Sequence, residues 1–139
     1  MPKRLIVVGG DAAGMSAASQ ARRANPELEV VVFERGPYAS YGACGMPYLV
    51  AGRIAAGEDL LALRPEDFAR RGLDVRLRHE VTAVRPGART VDFRDQDGRP
   101  GSLRYEYLVL ATGCEAVVPA WGTVPMANVF PLRHLPDAV

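Results

Sequence analysis

Cys44 and Cys114 are the two side chains of this 139-residue sequence best suited to redox chemistry. Cys44 lies in the segment SYGACGMPY, where Pro47 is placed to occupy the first turn of a helix through residues 49–51. A cysteine beside a helix N-terminus is favoured as a thiolate. No second cysteine is close in sequence, so turnover at Cys44 requires a mixed disulfide with an external thiol or a sulfenic acid. The competing interpretation of Cys44 is a small buried hydrophobic residue, and Cys114, which has no motif of its own, is taken as structural.

A glycine-rich segment after the first apolar run has the pattern of a dinucleotide-binding turn. It consists of Gly9, Gly10, Asp11, Ala12, Ala13 and Gly14. In such a turn the first glycine makes the tight bend and the last lets the helix pack closely on the strand. Asp11 stands where a glycine usually approaches a pyrophosphate, so its carboxylate is expected to point away, onto the free amides at the helix start. An ordinary structural turn is the alternative.

Glu34 strengthens the dinucleotide interpretation. It ends the second apolar run and follows Gly14 by 20 residues. A carboxylate at this distance accepts hydrogen bonds from the ribose hydroxyls of an adenosine. Together, the turn and Glu34 predict a dinucleotide site.

A strand, a helix and a second strand are needed to position these residues. Residues 4–9 are β-branched and apolar, residues 12–25 are strong helix formers that stop at Pro26, and residues 29–34 are apolar again. Strands joined by such a helix pair in parallel and are buried on both faces. The pattern predicts an α/β domain with a parallel, Rossmann-like sheet.

The second half of the sequence predicts shorter strands. Residues 64–71 have the pattern of a short amphipathic helix. Strand-like alternation follows in residues 74–77, 80–84, 90–93 and 103–105. Turns at Pro86-Gly87 and Asp97-Gly98 indicate a β-meander or hairpin insertion before a final buried strand at residues 107–111. Four prolines then break the chain, at Pro119, Pro125, Pro131 and Pro136. The pattern therefore predicts a domain over residues 1–114 and an extended connector over residues 115–139.

Composition narrows the class of partner. Seventeen basic residues face sixteen acidic ones, a balance that gives no electrostatic footprint for nucleic acid or an anionic membrane. No apolar run reaches the roughly 18 residues of a membrane span. His79 and His134 have no clustered ligand partners in the sequence, so no metal site is predicted. With two cysteines and no leader-like start, the sequence predicts a cytoplasmic protein.

Three segments together resemble one known family. VVGGDAAGMSAASQARR, SYGACGMPY and YLVLATG follow each other in the order found in the amino-terminal third of coenzyme A-disulfide reductases and their NADH oxidase, NADH peroxidase and persulfide reductase relatives. The resemblance runs nearly from end to end. It implies the FAD-binding part of a single-cysteine pyridine nucleotide-disulfide oxidoreductase.

The resemblance also implies roles for particular residues. Cys44 matches the family's single redox cysteine. The implied FAD contacts are the turn at residues 9–14 with Glu34, Arg35, Val81, Ala111, Thr112 and Gly113. The implied substrate contacts are Ser16, Gln20, Arg23 and Ser40, whose hydroxyl and basic groups suit coenzyme A phosphates and pantetheine. For those on the first helix, a plain exposed face is the alternative. Ala43 departs from the asparagine that these enzymes can carry beside the cysteine, so the specific disulfide is left open.

Whole enzymes of this kind are larger than the present sequence. The resemblance implies a nicotinamide-binding domain for NAD(P)H, a return segment of the flavin domain and a carboxy-terminal domain that pairs two subunits as a homodimer. No second glycine-rich βαβ unit follows Gly113, so we expect an incomplete fragment of a larger two-nucleotide-domain fold that is inactive alone. In the parent enzyme, NAD(P)H reduces the flavin, which reduces a disulfide or sulfenate at Cys44.

Three function classes remain open from the sequence. A disulfide reductase is the first expectation, with reduction of oxygen or peroxide, or of a persulfide, as alternatives in the same family. A non-catalytic nucleotide-binding module predicts ADP binding without a reactive thiol. A nicotinamide-binding domain of an ordinary dehydrogenase explains the glycine turn and Glu34 but leaves SYGACGMPY unexplained. Bound flavin and selective alkylation of Cys44 distinguish these classes.

Overall fold

A computed structural model of the chain describes residues 3–122 and 126–139. Its helices and strands, in chain order, are β1 (Arg4–Val8), α1 (Ala12–Ala24), β2 (Glu29–Phe33), α2 (Met46–Val50), α3 (Pro65–Arg70), β3 (Asp74–Arg76), β4 (Glu80–Arg85), β5 (Thr90–Arg94), β6 (Pro100–Arg104) and β7 (Tyr107–Leu110). The predicted break at Pro125 lies outside the described residues. In the described ranges, none of the helices has the length and apolar character needed to span a membrane.

Packing divides the chain into two compact units. The first unit comprises Met1–Ser40 and Leu63–Thr112, and the second comprises Tyr41–Ala62 and Gly113–Val139. The division into a domain over residues 1–114 and a connector over 115–139 stays a prediction.

The first unit is built on a parallel sheet, as the sequence predicts. Its strand order is β3-β2-β1-β7, and every neighbouring pair is parallel. The chain runs from β1 through α1 to β2 on one side, whereas β7 lies on the other side of β1. Strand order therefore reverses at β1, and such a reversal is where open α/β sheets bind ligands.

The two faces of this sheet are covered differently. Leu5 and Val7 share a core with Met15 and Ala18 of α1 and with Phe68 of α3. On the opposite face, a core that includes Ile6, Val31 and Phe33 also contains Val91 of β5 and Tyr105. Because successive side chains of a strand point to opposite faces, β1 is buried on both, which explains its unbroken apolar run.

The antiparallel strands form the expected meander. Their order is β4-β5-β6, with the hairpin turns at residues 86–89 and 95–99. Gly98 in the second turn has a φ of +77°, a conformation that glycine adopts without strain. The first alternating segment, β3, belongs instead to the parallel sheet, where it pairs with β2.

The last strand corrects one expectation. Residues 107–111 were expected to form a buried strand, but β7 is an edge strand in which Tyr107 is 49% and Leu110 63% exposed. β7 pairs with β1 on one side and has no neighbouring strand on the other in this sheet. Part of the apolar surface of β7 is therefore exposed to solvent.

Candidate functional site

The carboxyl ends of β1, β2 and β7 bring several of the predicted residues together in the first unit. The register pairs Val8 with Phe33 and with Leu110, so Gly9, Glu34 and Ala111 leave the sheet at the same edge. The Gly9 N–H donates to Phe33 O at 2.8 Å, and the Ala111 N–H donates to Val8 O at 2.8 Å. These carboxyl ends include those of β1 and β7, the two strands between which the strand order reverses.

Gly9 and Gly14 are held so closely that no side chain fits at either position. Gly9 has a φ of +106°, and a Cβ there would lie 2.1 Å from Ala111 O. A Cβ at Gly14 would lie 1.8 Å from Gly9 O and 3.2 Å from Val7 Cγ1. The turn therefore lets α1 begin directly against β1.

Glu34 ties the turn to the segment after β2. One carboxylate oxygen, Oε2, accepts a hydrogen bond from the Gly10 N–H at 2.7 Å, and Oε1 accepts one from the Gly36 N–H at 2.6 Å. Each carboxylate oxygen has two lone pairs, so both can accept a further hydrogen bond. The sequence placed Glu34 near the turn but did not reveal these backbone contacts.

Asp11 does not behave as expected. It is the N-cap residue of α1 in an extended conformation, but its side chain makes no capping hydrogen bond to the helix. The expectation that its carboxylate lies on the first amides of α1 was wrong. Those amides belong to Ala12, Ala13 and Gly14, which have no acceptor within the helix, and Ala12 and Ala13 are exposed.

Other predicted cofactor residues lie in the same unit. Arg35 and Thr112 are exposed, and Ala111 is half-buried. Val81 is opposite Phe93 in the meander and packs against the core that contains Phe33. The loop before β4 is fixed to the end of β2, because the His79 N–H donates to Glu34 O at 2.9 Å.

The predicted substrate residues divide into two groups. Ser16, Gln20 and Arg23 are exposed on α1, and an Arg23 N–H donates to Gln20 Oε1 at 2.7 Å. Their spacing of four and three residues places them on one side of the helix. Ser40 instead contacts the glycine turn, since its N–H donates to Gly10 O at 2.8 Å, and its φ is +57°.

Cys44 lies in the second unit, on a short 3-10 turn at Ala43–Gly45 that leads into α2. The predicted helix is present with Pro47 in its first turn, and it ends at Val50. Both cysteines are free and exposed, so the interpretation of Cys44 as a buried hydrophobic residue was wrong. Within residues 3–122 and 126–139, no group of three or more His, Cys, Asp or Glu side chains is placed to hold a metal ion.

Gly113 also belongs to the second unit and has a φ of +71°. A Cβ at Gly113 would lie 3.2 Å from a terminal guanidinium nitrogen of Arg133, and Arg133 Nε donates to Cys114 O at 3.0 Å. The sequence did not single out Arg133, because no motif marks a contact made across 19 residues.

Comparison with known proteins identifies the family. A model of the family described as pyridine nucleotide-disulphide oxidoreductase matches residues 3–138. The chain belongs to the pyridine nucleotide-disulphide oxidoreductase family. This confirms the resemblance inferred from the three motifs.

Individual relatives are similar over most or all of this chain. A Pyrococcus abyssi NAD(P)H sulfur oxidoreductase (CoA-dependent) is 43% identical over 99% of this chain and 30% of the relative. A Pyrococcus horikoshii NAD(P)H coenzyme A polysulfide/persulfide reductase is 40% identical over 100% of this chain and 31% of the relative. Coenzyme A disulfide reductases and NADH oxidases are also among the relatives, at 29 to 33% identity.

Solved structures agree with the fold. The reduced CoADR-RHD of Bacillus anthracis matches with a TM-score of 0.92 and 32% identity, over 99% of this chain and 25% of that chain. The chain spans about 30% of the length of the curated relatives named above. Enzymes of the family use FAD and NAD(P)H.

The residues of the first unit fit an adenine dinucleotide. Three features lie together at the carboxyl ends of the strands. They are the backbone at Gly9 and Gly10, which carries no side chains, the amides at the start of α1 and the Glu34 carboxylate. A Cβ at Gly10 would lie 2.9 Å from Glu34 Cβ, so only glycine leaves room for the carboxylate beside the turn. Amides at a helix start attract phosphate, and a carboxylate binds ribose hydroxyls.

Proposed function

We propose that this chain supplies the FAD-binding part of an FAD-dependent NAD(P)H:disulfide oxidoreductase in which Cys44 is the redox-active cysteine. The observation that carries the proposal is the convergence of the glycine turn and Glu34 at the reversal point of the parallel sheet. Residues 9–14 and Glu34 would hold the pyrophosphate and the ribose, with Arg35, Val81, Ala111, Thr112 and Gly113 completing the cofactor contacts.

FAD supplies two-electron transfer from NAD(P)H when it is bound. The thiolate of Cys44 attacks one sulfur of the substrate disulfide, so that the substrate S–S bond breaks, a mixed disulfide forms and the first thiolate leaves. Two-electron reduction of the mixed disulfide then releases the second thiol and restores the Cys44 thiolate. The exposure of Cys44 permits attack on an external disulfide without local unfolding.

A sulfur-containing substrate is favoured over oxygen. The relatives at 43% and 40% identity carry sulfur, polysulfide or persulfide in their names, whereas the NADH oxidases are 33% and 29% identical. The residues that would contact a coenzyme A group are Ser16, Gln20, Arg23 and Ser40. Ala43 replaces the asparagine that coenzyme A-disulfide reductases can carry beside the cysteine, so the specific disulfide is left open. Reduction of oxygen or peroxide through a sulfenic acid at Cys44 is the second candidate.

The whole enzyme is proposed to be a cytoplasmic homodimer. Free cysteines are typical of a reducing compartment, and both cysteines of this chain are free. The connector over residues 115–139 would lead to the nicotinamide domain. We further propose that the 139-residue chain, which spans about 30% of its relatives, does not turn over NAD(P)H alone.

Titration with ADP, the half of FAD nearest to Glu34 in this proposal, tests the dinucleotide site. Glu34→Gln replaces an oxygen that accepts an N–H with an amide that presents its own N–H, so we expect an affinity lower by about tenfold. Glu27→Gln, which changes an exposed glutamate of the same unit, is the control and should bind as the parent does. Equal affinity in the parent and in Glu34→Gln would remove the proposed role of Glu34.

Alkylation rates test the redox cysteine. Cys44→Ser and Cys114→Ser each leave one exposed thiol, so a rate difference between the two variants reports thiol chemistry rather than access. We expect Cys44 to react about tenfold faster than Cys114 near neutral pH, as an activated thiol does. ADP binding with equal thiol rates would instead identify a non-catalytic nucleotide-binding module.

A further inference from the structure

The turn that carries Cys44 is held on both sides by one residue, Leu60. The Gly42 N–H donates to Leu60 O at 2.8 Å, and the Gly45 N–H donates to Gly42 O at 2.9 Å. The Leu60 side chain lies against the other end of this turn, because a Cβ at Gly45 would be 2.3 Å from Leu60 Cδ2. Leu60 therefore contacts the residues on either side of the Ala43-Cys44 pair.

Gly45 leaves space for the Leu60 side chain, whereas its backbone conformation makes no demand for glycine. Its φ of −82° and ψ of −16° are accessible to any residue. A side chain at position 45 would displace the end of the Leu60 side chain and would also contact Ile54, whose Cδ1 would lie 3.6 Å from the new Cβ. The glycine after Cys44 is thus a contact surface for Leu60.

Leu60 ends a 3-10 turn that is itself fixed by a hydrogen bond and by packing. The 3-10 turn Gly57–Leu60 is closed by the Asp59 carboxylate, which accepts a hydrogen bond from the Ala56 N–H at 3.2 Å. A Cβ at Gly57 would lie 3.6 Å from Leu135 Cδ1 and 3.0 Å from Val139 Cγ1. Leu135 is fully buried, so this end of the turn packs against a buried side chain of the same unit.

We propose that Leu60 is a positioning residue for Cys44. The thiol is exposed, so its direction depends on the turn that carries it, and Leu60 fixes that turn through one hydrogen bond and one packing contact. Attack on a disulfide requires the thiolate to approach along the S–S axis, and such alignment is lost when the supporting backbone moves. The inference rests on the proposed function of Cys44.

The test measures the second-order rate of Cys44 with an aromatic disulfide as a function of pH, in a Cys114→Ser background. Leu60→Ala and Gly45→Ala are each expected to lower the rate at the high-pH plateau by about tenfold, the former by removing the support and the latter by displacing it. Leu60→Met, which keeps a flexible apolar side chain, should stay within about twofold of the parent. Leu132→Ala, at an exposed leucine of the same unit, is the control and should leave the rate unchanged.

A plateau effect distinguishes positioning from a change in thiolate population, because every molecule is a thiolate at the plateau. Far-ultraviolet circular dichroism checks that each variant is folded, and Gly45→Ala decides the question if Leu60→Ala does not fold. Plateau rates within about twofold of the parent for both variants would overturn the role of Leu60. A parent Cys44 that reacts no faster than Cys114 would instead overturn the proposed function.

Discussion

Gly9 and Gly14 serve the same turn for different physical reasons. Gly9 has a positive φ and touches the Ala111 carbonyl, so both its conformation and its surroundings exclude a side chain. Gly14 carries no such conformational demand and is required only because α1 approaches within contact of Gly9 O. The closeness of helix and strand at this point brings the amides of α1 to the sheet edge.

Gly14→Ala is predicted to destabilise the chain strongly. The new methyl would lie 1.8 Å from a backbone oxygen that cannot move without breaking the turn, so the free energy of unfolding should fall by about 2–4 kcal/mol. Gly87→Ala is the matched control, since a Cβ there meets nothing within 4 Å, and its effect should be within about 0.5 kcal/mol. Urea unfolding of the three proteins measures both values, and equal stabilities would contradict the packing role of Gly14.

The sequence predicts the single residues of the site unevenly. Gly9, Gly14 and Glu34 follow from spacing, because the βαβ unit imposes a regular distance between them. The Asp11 expectation failed, since capping depends on a side-chain direction that spacing does not encode. Leu60 and Arg133 act across 15 and 19 residues on Gly45 and Cys114, and such contacts appear only when the chain folds.

Among the elements, those with strong periodicity were predicted well. β1, α1 and β2 lie within two residues of the predicted bounds, because one apolar pattern fixes each of them. β3 was the ambiguous case, since a three-residue alternating segment fits either sheet. β7 was predicted as buried from its apolar sequence, but burial also depends on what lies beyond the sheet edge.

The carboxy-terminal turn at Leu135–Ala138 is an element stabilised by one carboxylate. Asp137 Oδ2 accepts hydrogen bonds from the His134 N–H at 2.6 Å and the Arg133 N–H at 2.8 Å. These backbone donors hold the pKa of the Asp137 carboxyl below its usual value of 3.8. A lowered folded-state pKa means that the stabilisation is present above the unfolded pKa and is lost as pH falls through the folded one.

We therefore predict that the amide resonances of Arg133 and His134 keep their positions from about pH 5 down to about pH 4 and shift together at lower pH. Asp137→Ala should shift both resonances at every pH, whereas Glu58→Ala, which removes an exposed carboxylate of the same unit, should not. Heteronuclear NMR across this range makes the measurement. Shifts that begin well above pH 4 would show that Asp137 is not the group responsible.

At the scale of the whole molecule, two units divide the proposed chemistry. The first contains the glycine turn, Glu34 and the sheet edge. The second contains Cys44, the turn at Gly57–Leu60 and the carboxy-terminal turn. Both lie in a chain that spans about 30% of the length of its curated relatives. The fold class and the family were predictable from the sequence, whereas the division into these two units was not, because the second joins segments more than 50 residues apart.

The absorbance spectrum of the purified chain after incubation with FAD and gel filtration tests whether this chain carries the flavin site. We predict flavin bands that elute with the protein, at about one FAD per chain, with FAD released on denaturation, because the turn, Glu34 and the sheet edge are all present in the first unit. A protein that stays colourless after incubation with excess FAD would contradict the claim that this chain carries the flavin site.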